Sequence, residues 1–201
     1  MPDALTPRAV WVRARHAASL LVLRGESVLM GVRGARHRFM PNRLVFPGGA
    51  VDPEDLGAAC AAPLSEATAA RLARSASPAL AHALGIAAAR ELEEETGLSL
   101  GTPPALAGID YLCRLVTPTN SPVRFNARFL TVDAARVSGT LGGSGELEDL
   151  RFYRMEEALA LDLALPTRKV IARLLAWRAM SVGEREATVR VPVFRDRWRW
   201  E

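Results

Sequence analysis

Between Ser77-Pro78 and Gly97 the chain carries one long uninterrupted helical signal, and its last turn sets the hardest constraint on the fold. Serine is a favoured N-cap, proline suits the first helical position, and glycine ends a helix by accepting a left-handed backbone. Ala81, Leu84, Ala88 and Leu92 recur at helical spacing and predict one buried stripe. The end of this helix reads Arg90-Glu91-Leu92-Glu93-Glu94-Glu95-Thr96-Gly97. Positions three and four apart share a face, so Glu91, Glu94 and Glu95 are expected side by side while Leu92 turns to the core. Three carboxylates within one turn repel one another, and they stand where the helix macrodipole disfavours negative charge. A hard divalent cation, Mg²⁺ or Mn²⁺, resolves that conflict by accepting oxygen ligands. The plain alternative is a solvated acidic face.

The rest of the chain must supply a framework for that helix. Two apolar runs, 17–23 and 27–32, are separated by Arg24-Gly25-Glu26 and predict an antiparallel hairpin. A basic loop from Arg33 to Arg43 leads into Leu44-Val45-Phe46, a strand stopped by Pro47-Gly48-Gly49. Residues 55–77 turn Ala-rich and read as short helical pieces or an excursion from the main fold. Further strands are expected at 107–116, 124–132 and 150–153. A helix is expected from Pro166-Thr167 with Val170, Ile171, Leu174 and Leu175 on one face, and a last strand at 188–194, at an edge because of Pro192. No repeat or dividing linker is found, so residues 1–201 read as a single α/β domain with a mixed sheet flanked by helices.

Composition excludes several classes. With 201 residues, 49% apolar and 24% charged, the chain can pack a core and is neither disordered nor collagenous. No stretch approaches the roughly 18 uninterrupted apolar residues of a membrane span. Arg8, Arg13 and Arg15 precede an apolar run as in a signal peptide, but Arg24 follows at once and no small-residue cleavage site appears. Cys60 and Cys113 are too few for a disulfide scaffold and lack paired zinc-site spacing, which predicts a reducing compartment, the cytoplasm. The net charge is +4, and every basic residue but Lys169 is arginine. Those arginines are scattered and only 6% of residues are aromatic, so no basic stripe with stacking platforms for nucleic acid is expected. Guanidinium forks do grip phosphate and carboxylate by two-point contacts.

Taken with the upstream glycines, the acidic helix resembles the box of the Nudix hydrolases. That pattern runs glycine, five residues, glutamate, seven residues, then Arg-Glu-apolar-any-Glu-Glu-any-Gly-apolar. Residues 90–98 match its second half at every specified position, and Gly49 matches its opening glycine. Two departures stand out: Asp55 replaces the first glutamate, and residues 56–89 separate it from Arg90, an insertion placed at about 56–82. Together with Arg38-Phe39-Met40-Pro41-Asn42 and the late segments 146–152, 157–159 and 165–167, the insertion resembles the coenzyme A diphosphatase branch. The resemblance covers about residues 17–178 and implies the Nudix α/β/α sandwich, followed by a C-terminal helix and strand at about 166–194.

The resemblance also implies a metal-dependent hydrolase that cleaves the diphosphate linkage of a nucleoside diphosphate joined to another group. Glu91, Glu94 and Glu95 would bind the divalent ions, the backbone carbonyl of Gly48 would add a ligand, and Arg90 would orient neighbouring carboxylates. Asp55 or Asp52 would provide the supporting carboxylate. For the general base Glu91 is the first candidate and Glu146 the second, with Glu148 the remaining alternative. The branch points to coenzyme A or acyl-coenzyme A, cut to 3′,5′-ADP and phosphopantetheine; ADP-ribose, NADH and nucleotide sugars are the alternatives, as is a nucleotide-binding module without catalysis. Arg33, Arg36, Arg38 and Arg43 precede the glycine turn where they would meet the substrate's phosphates, with His37 or Phe39 to stack on its base. Beyond that nucleotide-containing substrate, pairing with a second copy of the chain is left open, and neither nucleic acid nor membrane is expected.

Overall fold

The computed structural model describes residues 12–35 and 40–201. Strands β1 (Arg15–Arg24) and β2 (Ser27–Arg33) form the expected hairpin, with Arg24 opposite Ser27 and Gly25 at φ 53° closing a tight turn. After them come β3 (Leu44–Val45), β4 (Gly48–Ala50), α1 (Glu66–Leu72), α2 (Pro78–Thr96), β5 (Leu98–Ser99), β6 (Asp110–Val116), β7 (Phe125–Asp133), β8 (Ser138–Gly139) and β9 (Leu147–Arg154). The chain ends in α3 (Met155–Ala160), α4 (Leu165–Arg178), α5 (Val182–Ala187), β10 (Pro192–Phe194) and β11 (Trp198–Trp200).

These elements form a mixed sheet with helices on both faces, the arrangement the Nudix resemblance implies. Strand β1 is its spine. One edge pairs in parallel with β7 from Arg15 to Leu23, and β6, β10 and β11 follow outward. The other edge is shared: β4 occupies Ala17–Ser19 and β2 only Leu23 and Arg24. Between those contacts the sheet divides, and β2 continues outward to β3 and β9. Strand alternation sorts the core into two layers. Ala18, Leu20 and Val22 pack toward α2 with Leu84, Ala88 and Leu92, while Leu21, Val28 and Met30 pack toward α4 with Val170, Ile171 and Leu174. Among the described residues no helix is long and apolar enough to cross a membrane.

Helix α2 has the termini its sequence implies: Ser77 accepts from Leu80 N–H, and Gly97 takes a left-handed φ of 71°. The expected edge position of the last strand is corrected. β10 lies between β6 and β11, and Pro192 is tolerated because it opens the strand. Residues 56–82 do not stand off as an excursion. The Thr68 hydroxyl donates to Ile109 O, Arg71 pairs with Asp110, and Leu106 N–H donates to Ala62 O, which stitches this segment to the β6 side of the sheet.

Candidate active site

Two glycines bring the end of α2 against β4. Gly48 has φ 150°, and a side chain there would run into the backbone of Ala18 and Ser19 on β1. Its N–H instead donates at 2.8 Å to Glu95 Oε2. At Gly49 a Cβ would fall on the carboxylate of Glu91. The Pro-Gly-Gly turn therefore does more than stop a strand, since it leaves room for two carboxylates of the helix to lie against backbone.

Glu91 and Glu95 line one end of a cavity of about 840 Å³, together with Gly48, Gly49, Arg33 and Glu146. Glu95 is almost wholly buried. That burial pushes its carboxyl up to about 7, against the Gly48 N–H and Arg33, while the charges of Glu91 and Glu146 push the same way as burial. Glu91 is likewise raised by burial, opposed by its bond to Arg90 and reinforced by Glu94 and Glu146. Arg33 stands 3.8 Å from Glu95, with its Nε buried and unpartnered among the described residues. The arrangement concentrates negative charge at one end of a chamber whose middle is walled by apolar side chains.

Arg90 organises the outer side of this end. It donates to both oxygens of Asp55, to Ala50 O at 3.1 Å, to Glu91 Oε1 at 2.8 Å and to Glu94 Oε2 at 3.2 Å. Burial alone would lower its pKa, but the bonds to Asp55 and Glu91 outweigh it and hold the guanidinium above its ordinary value. Asp55 is buried and also accepts from Asp52 N–H at 2.8 Å, while Asp52 reaches Arg90 only at 3.6 Å. The shorter acid thus meets the arginine despite the long intervening segment. Glu94 does not join Glu91 and Glu95 inside the cavity. Its place four residues after Arg90 favours the helix-surface ion pair, and it lines a smaller hollow of about 420 Å³ with Arg90 and Glu93. Among the described residues, no three acids stand close enough to share one ion.

Other expected site residues separate. Glu146 lines the cavity, whereas Glu148 is exposed and outside the lining. Arg43 pairs with Asp162 and is also outside it. Arg36, His37, Arg38 and Phe39 lie outside the described residues. No residue of 56–82 contributes to the lining. Sequence reasoning missed Arg15 and Arg195 and the walls built by Phe46, Phe129 and Phe194. Phe46 and Phe129 meet edge to face, with ring centroids 6.2 Å apart. Alternation along β1 was the available signal for the floor, since Arg15, Ala17 and Ser19 all line the cavity.

Comparison with known proteins agrees with this fold. Residues 83–174 match the NUDIX domain family. No curated protein matches the sequence. Among solved structures, a NUDIX hydrolase from Alicyclobacillus acidocaldarius is similar at TM-score 0.65 and 24% identity, covering 88% of this chain and 96% of that one. A MutT NUDIX hydrolase from Burkholderia pseudomallei is similar at TM-score 0.54 and 19% identity, covering 81% and 99%. The NUDIX domain of Shewanella oneidensis NrtR, solved with ADP ribose, is similar at TM-score 0.53 and 16% identity, covering 85% and 92%. The chain thus has the Nudix fold, and its residues 83–174, which include the acidic end of α2, match the NUDIX domain family.

Proposed function

We propose that the chain is a divalent-metal-dependent hydrolase of the diphosphate linkage in a nucleoside diphosphate joined to a second group. One observation carries the reading: Glu91 and Glu95 are set against the Gly48-Gly49 turn, with Glu146, at one end of a large cavity. A protein that only bound nucleotide would gain nothing from burying carboxylates where phosphates must sit.

The donor set suits Mg²⁺ or Mn²⁺, because carboxylate oxygens are hard ligands whose mutual repulsion a cation relieves. Such ions commonly take one or two carboxylates and complete their shell with water and substrate phosphates, so a closed protein cage is not required. Glu91 and Glu95 would hold the ions, with the Gly48 carbonyl beside them, and Glu94 would join on leaving Arg90. When bound, the metal offsets the charge of the diphosphate and acidifies a water. Arg90 keeps Glu91 oriented and opposes the upward push of burial on its carboxyl. Arg33 presents a guanidinium to phosphate oxygens beside Glu95. Glu146 lines the cavity with no hydrogen-bond or ion-pair partner for its side chain among the described residues. It is therefore free to take the proton of the attacking water, whereas Glu91 is engaged by Arg90.

The apolar walls suit a bulky group on the far side of the diphosphate, and coenzyme A or acyl-coenzyme A fits the chamber and the arginines about it. ADP-ribose is the second reading, favoured by the ligand of the NrtR domain. Incubation with coenzyme A, ADP-ribose and NADH, with Mg²⁺ or with EDTA, followed by chromatography of the monophosphate products, tests both. Metal-dependent cleavage is expected, with coenzyme A the best substrate. Glu95→Gln or Glu94→Gln should lower turnover by several orders of magnitude. Binding without cleavage of any of the three would overturn the enzymatic reading.

A further inference from the structure

We infer that the cavity has a second anion-binding end, at Arg15 and Arg195, which selects substrates carrying an additional phosphate on the half remote from the metal end. The strand register serves as a ruler. Ser19 lies beside Gly48 and Phe129, in the row that abuts Glu95. Ala17 lies beside Ala50 and Ala127, and Leu115 and Phe194 continue that row across β6 and β10. Arg15 lies beside Phe125, whose carbonyl accepts from Thr117 N–H. β10 runs parallel to β6, so Arg195 follows Phe194 toward this same end. From Ser19 to Arg15 is four residues, about 13 Å along the strand.

All three rows contribute to one cavity lining, and their chemistry changes along it. The first row meets Glu91 and Glu95, the second carries no charge, and beyond it lie Arg15 in the third row and Arg195 one residue past Phe194. Arg33 is drawn to Glu95, and Arg124 is spent on the carbonyls of Thr117 and Val12. Neither Arg15 nor Arg195 has a side-chain hydrogen bond or ion pair among the described residues, although both line the cavity. Among the described residues lining the cavity, Asp196 is the one acid at that end, set against two cations. A guanidinium fork matches phosphate oxygens by two-point contact. The site is therefore polarised: metal and diphosphate at one end, an uncharged middle for a base or sugar, and a phosphate at the other end. This ligand assignment rests on the hydrolase reading above.

Matched substrate pairs differing by one phosphate test it: coenzyme A against dephospho-coenzyme A, and NADPH against NADH. At least one pair is expected to show a tenfold or greater preference in kcat/KM for the phosphorylated member. Arg15→Gln with Arg195→Gln should bring that ratio toward one. Arg74→Gln with Arg178→Gln, an equal charge change outside the cavity lining, should retain it. Calorimetric binding of 3′,5′-ADP against AMP reads the same preference without turnover, so an inactive enzyme would defeat the hydrolase reading and still leave the second site measurable. A ratio near one in the parent protein in turnover and binding alike, or a ratio unchanged in the double variant, would overturn the inference.

Discussion

Arg90 and Asp55 form a two-point ion pair, Nε to one carboxylate oxygen and Nη2 to the other, each at 3.2 Å. The pair joins a short turn at Pro53–Leu56 to the last turns of α2, across the whole 56–89 segment. With two nitrogens committed to Asp55, Nη1 is left to hold Glu91 and Glu94. The orientation of the acidic end of the helix therefore depends on a residue 35 positions earlier in the chain.

Asp55→Ala should accordingly damage stability and chemistry together. Asp55 is buried, and its removal leaves a half-buried guanidinium without its two-point counter-charge, at a cost of about 2–4 kcal/mol. Urea denaturation is expected to show that loss. The residual folded protein should lose kcat more than it gains KM, because Glu91 is freed to take other rotamers. Asp55→Asn keeps an acceptor for Asp52 N–H and should lose less.

Gly49→Ala probes the close approach of helix and turn. The added methyl would occupy the space of the Glu91 carboxylate, so either the side chain or the turn must move. Overpacking of this kind costs about 1–3 kcal/mol. Turnover is expected to fall by more than the stability change explains, about a hundredfold or more by analogy with other small misplacements of reacting groups. An alanine variant with full Mg²⁺-dependent activity would contradict the packing described here.

Much of this was legible in the sequence because it is local chemistry. Ser77-Pro78 and Gly97 set the ends of α2 by capping rules, and the 24–27 turn set the first hairpin. The meeting of Glu95 with the glycine turn spans 47 positions and is implied by the family resemblance, not by local rules. What escaped was what depends on distant partners. Glu94 was expected with its neighbours, but an arginine one turn earlier holds it outside the cavity. Pro192 suggested an edge, yet a strand formed by 198–200 covers β10, and nothing local announces that pairing. Arg15 and Arg195 are 180 positions apart, and only the register of β1, β7, β6 and β10 puts them at one end of the cavity. The fate of Arg43 was equally non-local, since Asp162 claims it.

The choice of general base divides Glu146 from Glu91. Glu146→Gln should lower kcat by about 10²–10⁴ while leaving the Mg²⁺ concentration for half-maximal rate nearly unchanged. Glu91→Gln should shift that Mg²⁺ requirement upward as well. Steady-state kinetics across a Mg²⁺ titration separates the two. A Glu146→Gln variant with parental kcat would transfer the base to Glu91.

The raised carboxyl of Glu95 makes a metal-free stability prediction with a definite sign. Its pKa moves from an ordinary 4.5 in the unfolded chain to about 7 in the folded one, chiefly because burial disfavours its charge. Between these values the folded state holds the proton more tightly, so stability falls as pH rises from about 4.5 to about 7 and the penalty is complete above that window. Glu95→Gln keeps an acceptor for Gly48 N–H without the charge. In EDTA the variant should therefore gain stability relative to the parent between pH 5 and pH 8, by about 2 kcal/mol from a shift of this size. Saturating Mg²⁺ should erase or reverse the difference, because the ion stabilises the ionised carboxylate of the parent and the variant supplies none. Urea midpoints at the two pH values, with and without metal, give all four numbers. A pH-independent difference in EDTA would mean that Glu95 is not the buried acid that Mg²⁺ relieves.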